Sequence, residues 1–424
     1  MKMGRSLNIW LTQTGESFPL DDKNQKMRTG ILADHLRSRG HSVLWWGSAF
    51  DHLSKRWVFK EDSDFVVRRG LRIKAIKGIG YRKNLTFLRF LDHRIIAWKF
   101  GTLARNESKP DIIIASTPSY DLAYEAVKFA RSENIPVLVD IRDEWPDSFF
   151  NFPIFTRLPL WFQRIIRFAF YHEFSMIRKT MQMADGLTAM MDAFIRWGLK
   201  YAGRARTSRD KVFYIGSQRD SSSYEIPNKI HGYTLEGKFV VTFIGTFGIY
   251  NNPGILIDCA ARVSDRNILF VLAGDGDLFN EMKKRGSSLP NVILPGWLNQ
   301  EEIISLLRRS RIGACPATMI REAFPNKVFT YLSAGLPIVS AWRGELKEII
   351  EKYHIGFYFP PNDVAALEGC IKELCNNSAL YEEMATNARR VFSSMFDADN
   401  IYEEFCGHIE NMAGNNYINS ESCL

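Results

Sequence analysis

Apolar runs of strand length alternate with runs of helical period along this chain, and the alternation occurs twice. No other feature constrains the fold as much, because strand–helix–strand repeats close as parallel crossover units with helices on both sheet faces. Residues 7–11 (LNIWL) form a short apolar run with a polar stop. Residues 27–40 place Ile31, Leu32 and Leu36 on one helical face, and Gly40 ends that helix before the strand HSVLWW. DIIIAS (111–116) reads as a buried strand, LAYEAVKFARSEN as a helix, and IPVLVDIRD as a strand; DGLTAM (185–190) closes the first half. KFVVTFIGTFG (238–248) opens the second series, with strands in NILFVLAG, NVILPGW, RIGACPA, LPIVSAW and IGFYF. The expectation is an α/β chain of two Rossmann-like domains, 1–205 and 206–395. A polar stretch near 200–236, with the run SQRDSSSYE, reads as the linker. Residues 363–412 have a helical pattern; 396–424 is expected to be a helix returning to the first domain, plus a loose polar tail.

At 424 residues the chain is too long for one ordinary core. Hydrophobic residues make up 46% and charged residues 24%, which argues against a disordered protein. The formal charge of +8 favours an anionic partner such as phosphate, anionic lipid or nucleic acid. No nucleic-acid motif appears, and no GxGxxG follows the first strand, so nucleic-acid binding and dinucleotide-dependent oxidoreduction are not expected. The cysteines, Cys259, Cys315, Cys370, Cys375, Cys406 and Cys423, show no CxxC and no histidine pair at metal spacing, which predicts reduced thiols in the cytoplasm. The opening residues predict no secretory leader, and no apolar run is long enough for a membrane span. Cys423 stands one place too late for a prenylation box.

Residues 84–105 and 153–179 interleave aromatic and aliphatic side chains with Arg and Lys. That mixture suits helices lying in a membrane interface, cations toward anionic headgroups. The other reading is a pair of core helices with basic outer residues.

EAFPNKVFTYLSAGLPIVSAW (322–342) carries the strongest chemical signal. It reads as a loop entering a helix, then a turn at Gly335-Leu336-Pro337 into a strand. A helix start with Lys327 beside it suits a diphosphate, and Glu322 can accept hydrogen bonds from sugar hydroxyls. An ordinary helix–turn–strand unit with a solvated lysine remains open. At the end of VLVDIRDEWPD (137–147), Asp140, Arg142, Asp143 and Glu144 crowd a strand terminus, the edge where α/β sheets bind ligands. Either a ligand lies there, or Arg142 and Asp143 form a local ion pair.

The 322–342 segment resembles the donor-site signature of the family 4 retaining glycosyltransferases, in particular the branch that builds bacterial surface polysaccharides. Residues 15–50 resemble the branch's first strand–loop–helix unit, which implies that the backbone comes close to donor or acceptor at Gly15 and that Arg28 opens the helix. VLVDIRDEWPD, KVFYIG, FIGTFG, LAGDGD and LPGWLNQEEI follow in matching order and spacing, so the resemblance covers most of the chain. It implies the GT-B fold, two Rossmann-like domains facing across a cleft with the C-terminal helix crossing back. The family's first motif glutamate matches Glu322; the second, which typically holds the ribose diol, is replaced by Thr330. Glu345 is a substitute for it, and Pro325 and Asn326 belong to this branch's insert. The resemblance implies donor phosphates at Gly245, Thr246 and Gly248, the nucleobase at Trp297, and the diphosphate charge at Lys327. It places Asp143 and Arg142 on the acceptor side.

The activity implied is transfer of a sugar from a nucleotide-sugar, UDP being the commonest carrier, with retention of configuration. The implied acceptor is a polyprenyl-diphosphate-linked glycan at the inner face of the plasma membrane. No metal or other cofactor is expected. Two other functions fit the same fold: a nucleotide-sugar 2-epimerase, and a non-catalytic sugar-nucleotide-binding or membrane assembly subunit.

Overall fold

Ile112–Thr117 is buried along its whole length in the computed structural model, which marks a strand covered on both faces. The structure describes residues 5–20, 26–83, 86–151, 153–218, 235–248, 251–265, 267–318 and 322–421. The chain divides into two compact units: Met1–Tyr214 with Tyr402–Leu424, and Ile215–Ile401.

The first unit runs β1 (Asn8–Thr12), α1 (Arg28–Ser38), β2 (Ser42–Ser48), β3 (Phe50–Asp51), β4 (Arg56–Trp57), β5 (Ser63–Arg68), β6 (Leu71–Ile76) and α2 (Phe87–Leu103). It continues with β7 (Ile112–Thr117), α3 (Tyr120–Ser132), β8 (Val137–Ile141), α4 (Asp147–Phe150), α5 (Pro153–Thr156), α6 (Leu160–Ala169), α7 (Tyr171–Met183), β9 (Gly186–Ala189), α8 (Asp192–Ala202) and β10 (Lys211–Val212). The sheet order is β10-β9-β8-β7-β1-β2-β6-β5. All neighbours are parallel except the β5–β6 hairpin at one edge, whose turn uses Gly70 at φ 82°. The order reverses between β1 and β7, as doubly wound folds require. Trp10, Trp46, Phe100 and Phe129 interlock on one face, with Trp10 stacked on Phe129 at 5.4 Å.

The second unit runs β11 (Phe239–Ile244), α9 (Gly254–Arg262), β12 (Ile268–Ala273), α10 (Phe279–Gly286), β13 (Val292–Gly296), α11 (Gln300–Leu307), β14 (Ile312–Cys315) and α12 (Lys327–Ser333). Next come β15 (Ile338–Ser340), α13 (Glu345–Tyr353), β16 (Gly356–Tyr358), α14 (Val364–Asn376) and α15 (Ser378–Val391), then α16 (Ala398–Glu421), most of which belongs to the first unit. Its parallel sheet is ordered β13-β12-β11-β14-β15-β16, with the reversal between β11 and β14.

The unit boundaries differ from the expected 205/206 and 395/396. KVFYIG does not belong to a linker: Lys211 and Val212 pair with Thr188 and Ala189 at the sheet edge, so the first unit keeps the chain to Tyr214. At the other crossing, Ala398 donates its amide to the Ser217 carbonyl, which holds 398–401 in the second unit. From Tyr402, α16 is part of the first unit's core. Phe405 stacks on Phe213 at 4.3 Å, and Arg39 binds Glu403 and Glu410. The expected loose tail is helical as far as Glu421. Residues 219–234, with most of the run SQRDSSSYE from the expected linker, and Cys423 lie outside the described residues.

Candidate functional site

In the second unit, β11 and β14 pair only at Val241–Ile312 and Thr242–Gly313, then splay toward their carboxyl ends. The Tyr331 hydroxyl bridges the gap, accepting from the Ile244 amide at 2.9 Å and donating to the Ala314 carbonyl at 3.3 Å. Gly313 makes room for it, since a Cβ there would lie 2.3 Å from the tyrosine ring. Beyond the splay opens a pocket of about 550 Å³. Its floor is the ends of β11, β12 and β13, laced by glycine: the Gly245 amide donates to Ala273, and the Gly274 amide to Gly296. Gly274, at φ 154°, allows the tightest approach, for a Cβ would fall 1.8 Å from the Gly245 carbonyl oxygen.

The walls bring together most of the residues expected at a donor site: Gly245, Thr246, Trp297, Pro325, Asn326, Lys327 and Thr330. Trp297 is 62% exposed and belongs to the pocket, so it is not a core tryptophan. Lys327 is the first residue of α12, and it is not a solvated lysine. Its Nζ is enclosed, makes no hydrogen bond among the described residues, lies over the Phe243 ring at 3.8 Å from the centroid, and presses against Gly245. Burial pulls this amine down to about 8, opposed only by the Cys315 thiol nearby. A buried cation with an aromatic face beneath it but no hydrogen bond or ion pair among the described residues is costly and calls for an anion. The helix start itself offers less than expected, because the Val328 and Phe329 amides are spent on the Pro325 and Asn326 carbonyls.

One polar wall side chain was not singled out from the sequence. Asn251 lines the same pocket, and its Oδ1 is buried without a hydrogen-bond partner among the described residues. It is one of two adjacent asparagines in a loop, a composition ordinary turns share, so only the structure distinguishes it. The pocket thus holds two unmet polar atoms of opposite sense, a donor at Lys327 and an acceptor at Asn251.

Glu322, Gly248 and Glu345 are not among the pocket walls. The Glu322 backbone forms an isolated β-bridge with that of Arg343, and its side chain lies against Gly344. Gly344, at φ 74°, turns the chain into α13, whose first residue is Glu345.

In the first unit, Arg142 does not pair with Asp143. Its Nε donates to Asp140 at 2.8 Å, its Nη1 to Glu16, and its Nη2 to Thr29 and Ser116 at 2.9 and 3.0 Å. Arg28, fully buried, makes a two-pronged contact to the same Asp140 at 2.9 and 3.0 Å. Burial would raise the Asp140 carboxyl, but Arg28 and Arg142 hold it well below the usual range. Thr29, in the first turn of α1, donates its amide to Glu16 at 2.9 Å. This network ties the loop after β1 to the ends of β7 and β8. Asp143 is fixed through its backbone, its carbonyl accepting from Tyr120 at 2.9 Å, and its carboxylate stays out of the network. At Gly15 the nearest atom to a Cβ would be Gln13 Oε1 at 3.3 Å, so the need for glycine there is weak.

The basic aromatic stretches form α2 and the α5–α7 run. α2 buries Ile96, Ala97 and Phe100 while Phe87, Leu88 and Trp98 face solvent. α6 has no buried residue at all, and its Trp161, Ile165 and Phe168 are exposed. Among the described residues no helix is long and apolar enough to cross a membrane, and no group of three His, Cys, Asp or Glu is placed to hold a metal.

Residues 227–391 match the glycosyl transferases group 1 family. The chain is 27% identical to the O-antigen chain mannosyltransferase C of Escherichia coli over 231 residues, 53% of this chain and 62% of that one. It is 26% identical to the UDP-Gal:alpha-D-GlcNAc-diphosphoundecaprenol alpha-1,3-galactosyltransferase of Escherichia coli over 182 residues, 41% and 45% of the two chains. The matches therefore span about half to three-fifths of these curated relatives. Among solved structures, Anabaena Alr3699/HepE in complex with UDP superposes with a TM-score of 0.66 at 17% identity, covering 96% of this chain and 100% of that one. WaaG, a glycosyltransferase involved in lipopolysaccharide biosynthesis, does so with a TM-score of 0.59 at 14% identity, covering 95% and 99%.

Proposed function

We propose that this chain, a GT-B fold whose residues 227–391 belong to the group 1 glycosyl transferases, is a glycosyltransferase of bacterial surface-polysaccharide synthesis. Its donor is a nucleotide-sugar, with UDP the first carrier to try. The observation that carries this reading is the unpaired ammonium of Lys327, enclosed beside Gly245 at the switch point of the second unit's sheet. A diphosphate supplies the missing anion. The indole of Trp297 at the pocket rim offers a face for the base. Asn251 Oδ1 accepts from a donor hydroxyl, which makes up for the single bond Thr330 can offer the ribose. The UDP-Gal and diphosphoundecaprenol in one relative's name, and the PP-undecaprenol in another's, support this substrate class.

In the reaction we propose, the bond between the anomeric carbon and the diphosphate oxygen lengthens first. Negative charge gathers on the departing oxygen, where Lys327 stabilises it. The acceptor hydroxyl adds to the same face of the sugar and passes its proton to the departing phosphate, so configuration is retained. No metal is called on in this scheme. Asp143, outside the first unit's ion network, orients the acceptor hydroxyl. The acceptor is a polyprenyl-diphosphate-linked glycan, and the exposed apolar and basic face of α6 rests on the cytoplasmic face of an anionic membrane.

The first test is thermal shift with UDP, GDP, dTDP and their sugars, since a ligand specific for the folded state raises Tm. The second is transfer of labelled sugar to a short polyprenyl-diphosphate glycan, with the new linkage read by NMR. Absence of any nucleotide shift would remove the transferase reading in favour of a non-catalytic assembly subunit. Epimerised nucleotide-sugar without transfer would make the chain an epimerase. An inverted linkage would leave transfer standing and overturn retention.

A further inference from the structure

On the first unit, α2, α6 and α7 border a groove of about 220 Å³, remote in sequence from the donor pocket. Phe87, Phe90, Leu91, Ala169 and Phe170 wall it. Its two polar members, Arg94 and Glu173, stand 3.9 Å apart, and Arg94 also meets Asp121 and His172. Polar side chains that already satisfy one another ask nothing of a ligand, so the groove is suited to hydrocarbon.

What surrounds it decides which hydrocarbon. Phe87 is 78% exposed and Phe168 is 79% exposed, and α6 turns Trp161 and Ile165 outward beside them. Residues 153–183 hold Arg157, Arg164, Arg167, Arg178 and Lys179 against the single acid Glu173. A second copy of this chain seated here would set like charges together. An anionic amphiphile meets both demands, with its chain in the groove and its headgroup among the cations. A flat helix face can lie on many lipids at once, whereas a concave slot of this size takes one chain.

We infer that the α2/α6–α7 groove is the seat of the isoprenoid tail of the acceptor's lipid carrier. This rests on the reading of the chain as a transferase with a polyprenyl-linked acceptor. Aromatic walls favour a methyl-branched chain over a straight one, because the branches fill the spaces between ring edges.

Isothermal titration of the full chain without vesicles tests it, using farnesyl phosphate and, as the straight-chain counterpart, dodecyl phosphate. Farnesyl phosphate is expected to bind at least tenfold more tightly. Ala169→Trp, which fills the slot from α6, should weaken farnesyl phosphate tenfold or more, and Leu91→Trp should do so from α2. Both sites are open to solvent, so Tm should hold and confirm folding. Equal affinity for the two phosphates would overturn the inference, making the groove a general lipid contact. Lack of farnesyl phosphate binding, or unchanged binding in both folded variants, would also overturn it. The UDP shift measured on the same samples keeps the two claims apart, since it reports on the transferase reading and not on the groove.

Discussion

At the scale of the residue, Lys327 makes opposite demands on stability and on binding. Its amine is held near 8 in the folded chain against about 10.5 in an unfolded one. The unfolded chain therefore binds the proton more tightly. Burial of the charge costs the fold its full amount below about pH 8, and the cost fades as pH rises from there toward 10.5. A gap of that size corresponds to about 3 kcal/mol. Lys327→Met should accordingly stabilise the protein at pH 7, by about 1–3 kcal/mol in urea unfolding, while UDP binding falls by roughly a hundredfold. A merely structural lysine would not separate these two signs. For the wild type, UDP affinity should be flat below about pH 8 and weaken above it, because the charged amine is then scarce and binding must take up a proton. A flat profile by calorimetry up to pH 9.5 would clear Lys327 of the role. Asn251→Ala should weaken UDP several-fold and lower discrimination against 2′-deoxy-UDP, with Tm unchanged or higher. Asp140 behaves in the opposite way. Asp140→Asn leaves Arg28 and Arg142 buried beside a neutral amide and should cost about 3–5 kcal/mol of stability in urea. Held below the usual carboxyl range, Asp140 contributes stability above about pH 4 that disappears on acidification, so the wild type's advantage should narrow there.

At the scale of the element, strand ends and a helix face carry the proposed function. The ends of β11 and β12 touch through bare backbone, with Gly274 at φ 154°. Gly274→Ala forces a methyl to 1.8 Å from the Gly245 oxygen, so the strand ends must part and Lys327 must lose its seat. We expect a Tm drop of several degrees together with loss of the UDP shift; UDP binding at wild-type strength in the alanine variant would mean the pocket floor is elsewhere. The order of strands and helices was legible in the sequence because buried parallel strands read as unbroken apolar runs, as residues 112–115 and Ile268–Ala273 do. The β5–β6 hairpin was not, since its burial is partial and its polar residues blur the strand period. Most of the candidate pocket's polar lining was legible through a motif that keeps its residues close in sequence. Asn251 was not, because an orphaned acceptor is a property of three-dimensional surroundings. The partners of Arg142 were hidden for the same reason: Glu16 and Thr29 lie more than 110 positions away.

At the scale of the whole molecule, the two ends of the chain build one unit. Residues from Tyr402 onward bury Phe405, Cys406 and Ile409 in the unit that begins at the N-terminus. Arg28 lies over the Phe405 ring at 5.2 Å, so the return helix also closes the lid on the buried ion network. The second unit, Ile215–Ile401, has its own sheet and its own pocket. Two cores of this kind predict unfolding that is not two-state. Removing residues 402–424 should therefore act unequally. The first unit loses Phe405 from its stack with Phe213 and leaves Arg39 without Glu403 and Glu410, and its transition should fall by ten degrees or more or vanish. The second unit loses none of these contacts, and its transition should remain. UDP at about a hundred times its Kd should still stabilise that transition by about 2.7 kcal/mol. Calorimetry of the shortened chain with and without UDP reads both effects. A single transition lost entirely on truncation would show that the two units stand or fall together, and that the second unit's pocket depends on the C-terminal helix.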